Sequence, residues 1–274
     1  MRHSRKLTLA AVLLATVSTA TAGNTAAYGL QPASSPRAAA IDSHLGPEVD
    51  VGAGETGIAT VECPQGEVPT GGGGFNPAPF SGHPFAITNS FPQGNTWVLT
   101  ALNTASSPNK LAAFVVCSSV AHTVVESAPG NMNPGTRGSA TATCPEGLVT
   151  SGGGVHSSGT EVEVSALNAT PNTWSVRVVN NSGAVQASSA VVICANIRTS
   201  GHSGATKVIA PHSTGVVLAT CPQDQVPTGG GIFTDNPGAF ISGLNSSGQN
   251  WFSGVNNLTD SPVTATAQVV CTTP

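Results

Sequence analysis

Apolar and polar residues alternate immediately before three of the cysteines. In each case the apolar positions fall two and four residues before the cysteine, and the positions between them are mostly Thr or Glu. A period of two predicts a half-buried β-strand, here with the cysteine on its buried face. The apolar positions are Ala59 and Val61, Ala140 and Ala142, and Val217 and Ala219.

The same alternation places three tryptophans on the apolar side of a strand. Reading forward from each Trp, the alternate positions are apolar in two cases and Ser then Val in the third. The segments LAAFVVC, SSAVVIC and ATAQVVC are short apolar runs that end at a cysteine. Because no stretch of the mature chain shows a sustained helical period, the sequence predicts an all-β fold. The tryptophans are Trp97, Trp174 and Trp251.

These strands belong to one unit that occurs three times. The copies begin CPQGEVPTGGG (63–73), CPEGLVTSGGG (144–154) and CPQDQVPTGGG (221–231), and each closes with a Cys twenty residues after its Trp. So many matches at fixed offsets indicate internal repeats rather than chance. An Asn also follows each Trp by six residues, as Asn103, Asn180 and Asn257. The repeats span 48–119, 120–197 and 198–274.

A unit of about 55 residues is small for an independent hydrophobic core. We therefore expect the three units to share one core in a single pseudo-threefold, disulfide-stapled body. Two architectures fit this expectation, a β-prism with one sheet per repeat and a trefoil-like barrel. A string of three separate sandwiches is the alternative.

The N-terminus has the layout of a secretory signal peptide. Basic residues precede an apolar run from Leu7 to Val17, and cleavage is expected after Ala22, so that 1–22 is removed. Segment 23–47 lacks periodicity and is rich in Ala, Ser and Pro, which is typical of a flexible leader or propeptide. The sequence thus predicts a secreted, extracellular protein with a single β body over 48–274.

Charge argues against two classes of partner. Removing residues 1–22 takes away three of nine basic residues and none of thirteen acidic ones, which leaves a formal charge of 6 − 13 = −7. Nucleic acids and anionic membranes are bound by clustered Lys and Arg, and here the remaining six are scattered. No later segment has the roughly 18 consecutive apolar residues of a transmembrane helix. We expect neither nucleic-acid binding nor membrane insertion.

Six cysteines in an exported chain predict three disulfides. One symmetric pairing joins the cysteines within each repeat, and we expect it because each unit then has the same disulfide cross-link. The other pairs Cys117 with Cys144, Cys194 with Cys221 and Cys63 with Cys271. No metal site is expected, since no second Cys or His lies two to four residues from any cysteine. The within-repeat pairs are Cys63 with Cys117, Cys144 with Cys194, and Cys221 with Cys271.

Three recurrent features each have a structural and a functional interpretation. The Gly-Gly-Gly triplets lack the Lys and helix start of a phosphate loop, so they indicate places where backbones approach too closely for a Cβ. The tryptophans could be sugar-stacking platforms, but their position on the apolar side of a strand favours burial. The recurrent Asn residues suit a turn at the strand end.

Catalysis has little support in the sequence. No G-x-S-x-G motif occurs, and no pair of carboxylates recurs across the repeats, since the close pair Glu161 and Glu163 is found in one copy. We therefore expect a protein that is not an enzyme, without catalytic residues or cofactors. A secreted hydrolase remains a third hypothesis, because a catalytic triad assembles from distant segments.

Ligand recognition is expected on the segments after Gly-Gly-Gly, which differ between copies. They span 75–85, 155–161 and 232–240, and loops on a rigid scaffold usually carry recognition. Repeat one also has four extra residues between Gly74 and Ile87. An alternative is that the aromatic rings close the ends of the body. The candidate binding residues are Phe75, Phe80, His83, Phe85, Phe91, Phe233 and Phe240.

The repeat unit resembles exported proteins of high-GC Gram-positive bacteria, of actinobacterial type and unknown activity. The shared features over 58–271 are Cys-Pro-x-Gly, Gly-Gly-Gly, a mid-unit Trp and a closing Val-x-Cys, although Asp224 replaces the first Gly in copy three. A looser architectural likeness is to the β-prism of vitelline membrane outer layer proteins, which concerns fold alone.

Together these features predict a non-enzymatic binding or cell-envelope-associated protein. A glycan or cell-wall polymer is the leading ligand class. The alternative is an inhibitor or toxin-complex component that docks on an extracellular protein.

Overall fold

The computed structural model describes residues 40–77 and 84–274, and all their regular structure is β-strand. Repeat one contributes β1 (Ile41–Val51), β2 (Thr56–Glu62), β3 (Val68–Phe75), β4 (Phe85–Gln93), β5 (Thr96–Asn103) and β6 (Asn109–Ser118). Repeat two contributes β7 (Thr123–Glu126), β8 (Gly130–Met132), β9 (Arg137–Thr143), β10 (Val149–Ser157), β11 (Val162–Ala169), β12 (Thr173–Asn180) and β13 (Gln186–Ala195). Repeat three contributes β14 (Thr199–Ser203), β15 (Lys207–Ile209), β16 (Ser213–Thr220), β17 (Val226–Thr234), β18 (Ala239–Ser247), β19 (Asn250–Asn257) and β20 (Val263–Thr272).

The strands form three antiparallel sheets, and each sheet combines halves of two repeats. Sheet A has the order β1-β6-β3-β18-β19-β16, and sheet B has β2-β5-β4-β10-β13-β7 with β8 also on β13. Sheet C has β14-β20-β17-β11-β12-β9 with β15 also on β20. The expectation of one sheet per repeat is therefore wrong, because every repeat divides its strands between two sheets, three and three in repeat one and four and three in repeats two and three. Within the described residues no sheet closes into a barrel.

We call the place where two repeats pair within a sheet the seam of that sheet. Each seam has a single pair of residues in register, at equivalent positions of the repeats. The pairs are Gly74 with Leu244 in sheet A, Val155 with Ser90 in sheet B, and Ile232 with Leu167 in sheet C. The sheets thus continue from one repeat into the next, and one cluster of buried side chains includes residues of all three repeats.

Each repeat closes on itself through its disulfide and its Trp. The three disulfides pair the cysteines within repeats, as expected, and each joins two different sheets. Trp97, Trp174 and Trp251 are fully buried, which confirms them as core residues. The two halves of a repeat, here called its layers, belong to different sheets. Each repeat therefore has its own Trp and its own disulfide between its two layers.

The three glycines of each triplet face three different neighbours. The first glycines meet one another, since a Cβ on Gly71 would lie 2.6 Å from the Cα of Gly229, and one on Gly229 would lie 2.8 Å from the Cα of Gly152. The second glycine lies under the Trp of its own repeat, where a Cβ on Gly72 would lie 2.6 Å from the Trp97 ring. The third approaches the adjoining repeat across the seam, as Gly154 does at Ser90. Close approach of backbones, as expected, explains why no side chain fits.

The recurrent Asn residues are fully buried and fasten the turn after the Trp strand. The Nδ2 of Asn103 donates to the carbonyl oxygens of Val51 and Ser107, at 3.0 and 2.9 Å, and its Oδ1 accepts from the Ala105 amide at 3.1 Å. Asn180 and Asn257 make the equivalent bonds four and two residues further along the chain. The predicted turn is present, and the amide side chain satisfies buried backbone groups in it.

The fold begins earlier in the chain than the sequence predicts. Strand β1 begins at Ile41 and pairs with β6, so residues 41–47 belong to the fold and not to a flexible leader. The signal peptide and the rest of the leader lie outside the described residues.

Asp224, which departs from the Cys-Pro-x-Gly pattern, adopts a φ of 65°, close to the 82° of its counterpart Gly147. Asp tolerates this left-handed conformation better than most residues.

Candidate functional site

The structure describes five of the seven candidate binding residues and does not place them in one site. Phe80 and His83 lie outside the described residues. Phe85 is fully buried and Phe240 is 7% exposed, so these two rings are core residues and not part of a surface. The other three rings reach the surface on three different sheets, and the structure does not bring them together. They are Phe75 on sheet A, Phe91 on sheet B and Phe233 on sheet C.

One repeated position places a ring at every seam. The residue twelve positions after the first Cys of each repeat directly follows the seam pair and ends or nearly ends its strand. It was expected in a loop, but the strands extend further than the sequence predicted. The three residues at this position are Phe75, His156 and Phe233.

At the seam of sheet B the ring of His156 is covered. The Phe91 ring stacks on it with centroids 4.4 Å apart. The Nδ1 of His156 lies 3.0 Å from Oε1 of Glu126, and the Ser189 hydroxyl donates to the same carboxylate oxygen. A catalytic triad needs the serine bonded to the imidazole, whereas here the serine and the imidazole both bond to the carboxylate. This cluster is a packed surface network and not a nucleophile site.

At the seam of sheet C a cation covers the ring. The guanidinium carbon of Arg177, on β12, lies 4.7 Å from the centroid of the Phe233 ring. This is a cation–π contact, in which the positive group lies over the electron-rich face of the ring. Phe233 keeps 37% of its surface exposed, but the face towards β12 is occupied.

At the seam of sheet A the corresponding ring, Phe75, is partly buried, and among the described residues neither an aromatic ring nor a cation stacks on it. Arg177 stands three residues after Trp174, and the equivalent residue after Trp251 is Gly254. With no side chain at Gly254, a hollow of about 260 Å³ opens beside Phe75. We call it the first hollow. It is lined by Phe75, Asn76, Val216, Gly243, Asn245, Phe252 and Gly254.

A second hollow of about 230 Å³ adjoins the first on the same sheet. The two share Phe75 and Asn245 in their linings. The second hollow reaches across the sheet to the edge strand β1, whose Leu45 is 53% exposed. Its other lining residues are Ser43, His44, Phe114 and Ser246.

Sequence analysis identified Phe75 but missed Phe252, Gly254 and Leu45. Aligning the repeats on their Trp would have indicated two of them, because Phe252 follows its Trp where Val98 and Ser175 follow theirs. Leu45 was missed because it falls in the segment assigned to a leader. The alignment cannot show that β3 of repeat one lies beside β18 of repeat three.

Two other groups of polar side chains contain candidate metal ligands or a carboxyl with a shifted pKa. Among the described residues, His44, Glu67 and Cys117 are close enough to share an ion. The Cys117 sulfur is bonded to Cys63, so it is no thiolate ligand and only two ligands remain. Glu163 on β11 has a pKa raised to about 7, because burial disfavours its charged form. Its Oε2 accepts a hydrogen bond from Asn181 at 2.8 Å.

No family model matches the chain, and no curated protein matches it significantly. None of the described residues belongs to a helix that could span a membrane. The three disulfides indicate an oxidising, extracellular environment.

Proposed function

We propose that this chain is a secreted, non-enzymatic glycan-binding protein whose site is the first hollow on sheet A. The observation that carries the proposal is the hollow beside Phe75 and Phe252, in which no described ring or cation stacks on Phe75. The counterparts of Phe75 on the other sheets are in contact with Phe91 and with Arg177. Partly exposed aromatic side chains in a concave surface are typical of binding sites.

The chemistry of the first hollow suits a sugar. The faces of its two phenyl rings carry partial negative charge and attract the polarised C–H groups of a pyranose. The amide of Asn245 offers both a donor and an acceptor to hydroxyl groups. Gly243 and Gly254 leave room for a ring to lie against the sheet, because neither residue has a side chain.

We further propose that the three repeats are arranged about a pseudo-threefold axis as a prism of three sheets. Contacts among Gly71, Gly152 and Gly229 support it. So does a relay of hydroxyl groups beside them: Thr70 Oγ1 donates to the Thr228 carbonyl at 2.7 Å, and Thr228 Oγ1 donates to the Ser151 carbonyl at 2.6 Å. On this arrangement the sheets are equivalent scaffolds, and among the described residues only the seam ring of sheet A has no ring or cation stacked on it.

A glycan array followed by calorimetry tests the binding function. We expect the wild-type protein to bind neutral glycans, and Phe75→Ala to weaken binding by about tenfold or more, which corresponds to about 1.4 kcal/mol. Phe233→Ala is the matched control, because it removes the equivalent ring at a seam that Arg177 covers. The proposal fails if no glycan binds, or if Phe75→Ala and Phe233→Ala have the same effect.

A further inference from the structure

The two hollows on sheet A adjoin each other, and we infer that they form one site for a neutral, linear glycan of at least two sugar rings, with one such site per molecule. This inference rests on the proposed function and adds the charge, minimum length and stoichiometry of the ligand. Phe75 and Asn245 line both hollows, so a chain bound in the first hollow can reach the second past these two side chains.

The length of the site follows from the order of strands. The first hollow is lined from β3, β18, β19 and β16, and the second from β1, β6, β3 and β18. The two are displaced by about two strand spacings, or roughly 10 Å, across the sheet. A single ring cannot occupy both, whereas a linear chain of rings can.

The charge of the ligand follows from the lining. None of the described residues that line the two hollows is Asp, Glu, Lys or Arg. His44 is the one titratable group among them. Lys110, on the same strand as the lining residue Phe114, is already engaged, with its Nζ 2.9 Å from Asp50 and 3.5 Å from Glu48. A uronic acid or phosphate group would therefore find no Lys or Arg among the described lining residues, while its own desolvation would disfavour binding.

The count of one site follows from comparison of the sheets. On sheet B the equivalent ring, His156, is stacked against Phe91 and bonded to Glu126. On sheet C a hollow of about 240 Å³ corresponds to the second hollow, but Ser203 there replaces Leu45, and Arg177 covers the ring next to it. Three similar repeats thus present one complete site.

Titration calorimetry of the full chain with neutral gluco-oligosaccharides of one to six units, β-1,3 and β-1,4 linked, tests the inference. We expect one site per molecule and an affinity that rises by about tenfold or more from one ring to the longer chains. Polygalacturonate serves as the anionic counterpart and is expected not to bind.

Two variants separate the hollows. Leu45→Ser places the sheet C residue in the second hollow, and we expect it to remove most of the gain with chain length while leaving binding of a single ring unchanged. Val124→Ser, at a similarly exposed residue on sheet B, is the control that should change neither.

The outcomes distinguish this inference from the proposed function. Glycan binding without length dependence, with three sites, or with equal affinity for polygalacturonate overturns the inference and leaves the proposed function standing. An unchanged length dependence in Leu45→Ser also overturns it. No binding to any neutral glycan overturns both.

Discussion

At the scale of single residues, Glu163 is the buried group whose environment opposes its usual charge. It is 7% exposed on β11, and burial is the main cause of its raised pKa, with a smaller contribution from the Glu161 carboxylate. The Asn181 hydrogen bond acts in the opposite direction. In the folded protein its pKa is about 7, against 4.5 for the exposed group. Between these values the native state binds more protons than the unfolded state, so the free energy of unfolding falls as pH rises.

We predict that Glu163→Gln stabilises the protein above neutral pH. The charged carboxylate destabilises the native state by up to about 3 kcal/mol at pH values above its folded pKa, and Gln removes that charge while keeping an oxygen for Asn181. The variant should therefore melt several degrees higher than wild type near pH 8, with little difference near pH 4. Melting curves across this range are the measurement. Glu161→Gln, at an exposed position, is the control, and a pH dependence that Glu163→Gln leaves unchanged would contradict the assignment.

At the scale of the strand, the second glycine of each triplet fixes how closely the layers of a repeat approach. A Cβ on Gly153 would lie 2.5 Å from the Trp174 ring, which is itself fully buried and cannot move outward. We predict that Gly153→Ala destabilises the protein by about 1–3 kcal/mol through overpacking. Gly183→Ala is the matched control, because a Cβ there meets nothing within 4 Å. Equal melting temperatures for the two variants would contradict the explanation by overpacking against Trp174.

Strands were predicted well from sequence where one face is buried and poorly where strands of two repeats meet. Alternation gave the strands before each first Cys and after each Trp, since a period of two reports directly on a half-buried sheet. It failed at Phe75 and Phe233, which extend their strands into segments expected to be loops. Each seam has one pair in register, and such a pair leaves no periodic signal.

At the scale of the whole molecule, the sequence predicted the disulfides and buried tryptophans but not which half of a repeat pairs with which neighbour. Repetition makes the three units equivalent, so any pairing order among them satisfies the same pattern. The candidate site depends on that order, because Phe75 comes from repeat one while Phe252 and Gly254 come from repeat three. For the same reason Phe85 could not be distinguished as a core residue: its buried position depends on where β4 lies in the assembled sheets.

The proposed threefold arrangement makes a prediction about chain order. On that arrangement the end of β20 and the start of β1 have the same relative position as the end of β13 and the start of β14. Residues 196–198 are enough to connect β13 with β14. Residues 273–274 and 40 should therefore bridge the ends of the described chain. We predict that a circular permutant of 40–274, closed from Pro274 to Ala40 and opened between Ser119 and Val120, folds with the same three disulfides. Its melting temperature should stay within about 5 °C of linear 40–274, since no strand pair is cut. Non-reducing peptide mapping and thermal melts decide the matter, and scrambled disulfides or loss of the β circular-dichroism spectrum would show that the three repeats are not equivalent around an axis.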